Sequence, residues 1–295
     1  ERLRIGSNGL LTVTTTGQGS GIRLVDSSVS SGSPNLEIIS KRTDANVNTA
    51  FSANIFLGRN RTDQKIATNT FLGNVAFGGN HTDGTEGNIS YAAAITARSS
   101  GDFNSKSDMP TDLIFTTGTS GTDRDGELAG QSNVGTERLR IHSGGEVTKL
   151  HNPRFQVYKS GSHFQLSSGS GEIVYNTEVY DTGSNYNTSN GRFTAPVSGA
   201  YYFHHCLQIR ASLSDDGIIE SKVWVIPNGG SAQERIRDYQ KVTDTNAVSH
   251  AFGLLGLNAG DQVYPAYYTN IATCYTQNNG GNTPLTTFFE GYLIQ

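Results

Sequence analysis

The chain has 295 residues, a net charge of −4, 35 glycines and only 16% charged side chains. That balance supplies no basic surface for nucleic acid, and no apolar run approaches the roughly 18 residues a membrane-spanning helix needs. No stretch sustains apolar spacing at 3.6 residues, so the chain reads as all-β with almost no helix.

Length alone suggests two domains, and the aromatic residues say where to divide them. Residues 151–295 hold 20 of the 27 aromatics, so the second half can build its own core. The first half is too poor in large side chains to do so alone. Its chains must share one.

The chain opens with Glu1-Arg2-Leu3-Arg4-Ile5, which recurs 136 residues later as Glu137-Arg138-Leu139-Arg140-Ile141. Each copy runs into a Ser-x-Gly turn and a second short strand. Leu and Ile alternate with Arg, as a half-buried strand requires, and the arginines read as a solvated face. Glu1 or Glu137 could pair with an arginine of a neighbouring chain, a contact worth only ~0–1 kcal/mol if exposed. Because Glu1 lies inside a strand-like motif, the chain reads as the C-terminal part of a longer protein. Short polar strands follow at 54–57, 69–72, 76–79 and 92–98, with loops expected at 17–35 and 117–135.

The run Pro110 to Thr117 followed by ERLRIHSGG resembles the repeat unit of bacteriophage tail-fibre shafts, over most of residues 70–150. The resemblance implies a trimeric β shaft or β-prism in residues 1–150, in which winding three chains together closes the open strand edges. A linker at Leu150 to Pro153 leads into the second domain, residues 151–295.

There, Asn187 to Gly191 reads as a turn, Pro196 and Gly199 stop and bend the chain, and an alternating strand follows. Tyr201, Phe203, Leu207 and Ile209 point one way; Tyr202, His204, Gln208 and Arg210 point the other. The spacing of Tyr175, Asp181, Tyr186, Phe193, Gly199, Tyr201 and Phe203, with the ending Phe289, Gly291, Leu293 and Ile294, resembles the globular head of complement component C1q. Tyr175 stands where that family usually has Phe, and His205 where it has a second aromatic. The resemblance implies a C1q/TNF-like jelly-roll sandwich of ten strands that forms a tight homotrimer.

No catalytic constellation stands out, and the chain reads as a non-enzyme. The glycine-rich run at Gly17 to Gly21 opens no helix, so it does not read as a phosphate cradle. Asp123 to Glu127 lacks the third carboxylate and distal Glu of a calcium loop and reads as a turn. Asp215-Asp216-Gly217 could hold calcium by the likeness to complement-type heads, with a solvated turn as the default. No cofactor or metal is assigned. His204 and His205 fall on opposite faces of one strand and cannot grip one ion together. Cys206 and Cys274 are too few for a disulfide framework; they could pair, and Cys206 reads as a small buried thiol.

Surface recognition is what remains. Trp224 falls opposite Val223 and Val225, so it lies outward or at a subunit seam, with the seam favoured because aromatics are enriched at interfaces. Tyr267, Tyr268 and Tyr275, with Asn278 and Asn279 of the neighbouring loop, could stack against and hydrogen-bond a sugar, or belong to the core or a seam. The function expected is a homotrimeric phage tail-fibre tip on the virion. It would attach to a host-surface glycan or protein, and meet other tail proteins through the region before Glu1. A purely structural trimerisation cap (of a fibre or a bacterial adhesin) is the alternative; a fibre-borne glycan depolymerase is the third reading.

Overall fold

The computed structural model describes residues 4–5, 11–12, 57, 64–80, 89–118, 135–161, 163–211, 217–243, 245–277 and 286–294. Every regular element among them is a β-strand. The chain divides into two compact units, Glu1–Thr148 and Lys149–Gln295.

In the first unit, β1 (Arg4–Ile5) and β2 (Leu11–Thr12) form a hairpin. β3 (Phe71–Asn80), β4 (Ile89–Ser99), β5 (Thr111–Thr117), β6 (Thr136–Ile141) and β7 (Val147–Thr148) form one antiparallel meander. The separate strands expected at 69–72 and 76–79 are merged in β3, which absorbs its glycines at bulges next to Phe71 and Phe77. The strand expected at 54–57 and the loop at 17–35 lie outside the described residues, Leu57 excepted.

The described residues of the two ERLRI copies pair alike. Arg4 pairs with Thr12 and Ile5 with Leu11; Arg140 pairs with Thr148 and Ile141 with Val147. The register is the same, because each copy carries the same strand–turn–strand pattern. Gly145, at φ +95°, supplies the left-handed residue of the second turn.

Arg140 is not on a solvated face, as the sequence suggested. Its guanidinium is half-buried, donating to Asp112 Oδ2 at 2.9 Å and to both carboxylate oxygens of Glu137. Glu137 therefore has a partner within its own chain. Asp112 also accepts the Ser143 backbone N–H at 3.0 Å. Burial works to raise the Asp112 pKa, but the Ser143 amide and Arg140 outweigh it and hold it below the usual carboxylate value.

The second unit contains β8 (Arg154–Tyr158), β9 (Gln165–Glu172), β10 (Thr177–Thr182), β11 (Tyr186–Asn187), β12 (Arg192–Thr194) and β13 (Gly199–Ala211). It continues with β14 (Gly217–Ile226), β15 (Gln233–Val242), β16 (Asn246–Leu257), β17 (Gln262–Thr276) and β18 (Phe288–Leu293). One layer runs β10-β8-β18-β13-β16. The other runs β11-β12-β17-β14-β15, with β9 also on β17. The far ends of β13 and β17 pair through Ile209 to Ala211 and join the layers. This is a jelly roll.

Its core forms because β13 alternates as the sequence predicts: Tyr201, Phe203, Leu207 and Ile209 are fully buried. Phe155 lies at the centre, stacked on Phe193 at 4.8 Å and on Tyr186 at 5.2 Å, with Phe289 edge-on at 5.2 Å. Gly291 is required by close approach. A Cβ there would meet the Phe203 ring at 2.6 Å and Phe155 at 3.0 Å. Gly291→Ala is expected to destabilise the second unit by ~1–3 kcal/mol through overpacking, read as a lowered thermal midpoint.

The two departures from the complement pattern are coupled. The Tyr175 hydroxyl donates to His205 Nε2 at 2.9 Å, and His205 Nδ1–H donates to the Lys222 carbonyl at 3.1 Å. Both side chains are fully buried. Burial pushes the His205 pKa from 6.5 down to about 3, so the ring is neutral, which this bonding pattern requires.

Candidate recognition and self-association faces

Each unit leaves one sheet face apolar and open. In the first unit, Val75, Ile95, Phe115 and Leu139 stand side by side across β3, β4, β5 and β6. Ala97, Leu113, Ile141 and Val147 form the neighbouring row. Val75, Phe77, Leu113, Ile141 and Val147 are exposed, whereas Ala94, Thr96, Asp112 and Ile114 on the opposite face are buried. Together the two rows make a contiguous apolar surface.

In the second unit the open face belongs to β10-β8-β18-β13-β16. Phe252 and Leu254 of β16 are 60% and 64% exposed, and Tyr180, Val248 and Tyr292 are also exposed. Tyr202 of β13 packs on Tyr292 with ring centres 5.3 Å apart. Beside them lies a polar chain. Gln156 Nε2 donates to Glu290 at 2.7 Å, His204 Nδ1 donates to the other Glu290 oxygen at 3.3 Å, and His204 Nε2 is 3.0 Å from His250 Nδ1. Phe288 and Phe252 meet the His204 ring edge-on. Burial, then the nearby His204, lowers the His250 pKa, against an opposing pull from Asp238.

The opposite layer carries some of the residues singled out from the sequence. Trp224 faces away from the core and stacks on Tyr264, ring centres 6.2 Å apart, and its indole nitrogen is buried with no hydrogen-bond partner among the described residues. The Arg192 guanidinium also lies over the Tyr264 ring, 5.2 Å from its centre. Tyr268 shares that face, with the Lys222 ammonium 5.5 Å from its ring. Lys222 is bound by Glu220 at 2.9 Å and Glu234 at 3.1 Å. Burial would lower its pKa, yet the two carboxylates raise it.

Tyr267 does not join them. It points into the core, its ring filling the space beside Gly171. Tyr275 is exposed further along β17, paired with Arg210 and Gln165. Asn278 and Asn279 lie outside the described residues, as do Asp215, Asp216 and residues 123–127. Among the described residues, no group of three His, Cys, Asp or Glu is arranged to hold a metal ion. Cys206 and Cys274 are both buried and are not joined to each other; burial, then Glu290, pushes the Cys206 pKa up to about 11. Sequence reasoning missed Arg192, Tyr264, His250, Phe252, Leu254 and Tyr292. The alternation Gln262, Tyr264, Ala266, Tyr268 was the available signal for Tyr264.

The two layers and the joining of β13 to β17 make the second unit a jelly roll. Residues 155–294 match the C1q domain family. Similar solved structures include the globular domain of zebrafish complement 1qA, at 18% identity over 49% of this chain and 98% of that one, TM-score 0.35. Murine APRIL is similar at 12% identity over 48% and 99%, TM-score 0.37, and Eiger TNF from S. frugiperda at 12% over 49% and 93%, TM-score 0.37. A search of curated proteins finds no match.

Proposed function

We propose that this protein is a self-associating, non-enzymatic attachment module: a homotrimer whose heads close on the β10-β8-β18-β13-β16 face and present the other layer outward. C1q-type domains generally bind or trimerise rather than catalyse, which favours this reading. The observation that carries it is the open apolar face of Tyr202, Phe252, Leu254 and Tyr292, too large in exposed side chains to suit a solitary chain. The open aliphatic rows of the first unit favour the same association there.

The ERLRI repeat and its fibre-shaft likeness extend the proposal to a phage-type tail-fibre tip that attaches the virion to a host-surface glycan or protein. Three modest sites on one trimer would act together on a dense receptor. The outward layer with Trp224, Tyr264 and Tyr268 is the recognition surface in this reading. Sedimentation equilibrium of the whole protein is expected to give three times the chain mass. Trp224→Ala is expected to reduce adsorption of the purified protein to host cells at least tenfold, since a buried aromatic anchor is worth ~2 kcal/mol or more, with the trimer unchanged. Full adsorption by a trimeric Trp224→Ala variant would move recognition to another surface.

A further inference from the structure

Three strands bring titratable groups to one spot on the self-association face. β13 gives His204, β16 gives His250 and β18 gives Glu290. Asp238 of β15 lies behind, its carboxylate accepting the His250 backbone N–H at 2.9 Å. Cys206 shares the strand with His204 and stays a thiol, while His205 faces the core. Glu290 accepts the proton of His204 Nδ1, which leaves one proton to share between His204 Nε2 and His250 Nδ1 at 3.0 Å. One proton makes a hydrogen bond. Two make a pair of donors facing each other.

Resting on the trimer reading above, we infer that the His204–His250 contact makes association through the head face acid-labile: the face closes while one proton is shared across the contact, and opens when His250 takes up another. The surrounding groups oppose a second charge. Phe252 and Phe288 edge the His204 ring, and closing the face would remove the pair from water beside Leu254, where an unpaired charge is costly. Glu290 neutralises one imidazolium, and Asp238 is engaged by the His250 amide and by Ser249 Oγ. The sign follows from linkage. His250 has a pKa lowered from 6.5 on the open face, and closing lowers it further. Separated chains therefore bind more protons than assembled ones, so association is intact above that range and weakens as pH falls through it.

The test uses the whole protein and a double variant, His204→Gln with His250→Asn, whose amides keep hydrogen-bonding groups near the same positions without titrating. Hydrogen exchange of the 246–257 segment, corrected for intrinsic rate, is followed at pH 7.5 and 5.5, with sedimentation at each. The wild type is expected to lose protection there about tenfold or more, one pKa unit being a factor of ten, while the variant keeps it. Equal loss in both proteins, or no loss in a wild type that remains trimeric, would overturn the inference and leave the trimer standing. A single-chain sedimentation mass at pH 7.5 would instead remove the trimer reading itself.

Discussion

Phe252→Glu combined with Leu254→Glu is expected to turn the assembled protein into single chains at micromolar concentration, with its β circular dichroism unchanged. Both side chains stand on the outer side of β16, and neither belongs to the buried core. Their loss should therefore leave the fold intact. Withdrawing a Phe and a Leu from an interface removes about 4 kcal/mol of burial per chain, hence about 12 kcal/mol per trimer. Six carboxylates brought together would add desolvation and like-charge repulsion. Analytical ultracentrifugation reads the outcome directly. Trimers that survive the double substitution would place assembly on the first unit's open face, and Phe77→Glu with Val147→Glu would then be the change that dissolves them.

The strand β16 also shows where sequence reading stops. NAVSHAFGLLGL alternates plainly, but Val248, His250, Phe252 and Leu254 sit outside, while the smaller Ala247, Ser249, Ala251 and Gly253 face in, followed on the inner face by Leu255 and Leu257. Period two identifies two faces and not which one is buried. At Gly253 the opposite layer already fills the space: a Cβ there would meet Ile236 at 3.3 Å. β13 was legible because its inner face carries the aromatics and its outer face the polar residues. Tyr267 and Tyr268 are adjacent and so point oppositely. Only the parity with Val263, fully buried on the same strand, assigns Tyr267 to the core. The ERLRI hairpin was legible as a hairpin, yet the destination of Arg140 was not, since Asp112 lies 28 residues away in sequence.

In the sequence Tyr175 and His205 are two separate exchanges of one ring for another, and their coupling gives the second large effect. Tyr175→Phe leaves His205 Nε2 buried without a donor, and His205→Phe leaves the Tyr175 hydroxyl buried without an acceptor. Each is expected to cost ~1–3 kcal/mol, the penalty of an unsatisfied buried group. The double variant strands neither side chain, losing beyond the pair's own bond only that from His205 Nδ1 to the Lys222 carbonyl, and is expected to be more stable than either single at neutral pH. The singles would then fail to add, by the cost of the two groups that the double substitution no longer strands, the His205 nitrogen and the Tyr175 hydroxyl. Acid separates the proteins further. Because the folded His205 pKa is depressed from 6.5 to about 3, its contribution is complete above 6.5 and is lost as pH falls towards the folded value. The slope is ~1.4 kcal/mol per pH unit. Between pH 7 and 5 the double variant should therefore gain about 2 kcal/mol on the wild type, measured by urea unfolding at one fixed protein concentration. Parallel acid profiles for the two proteins would mean that His205 accepts a proton without unfolding, against its burial and its bond to the Lys222 carbonyl.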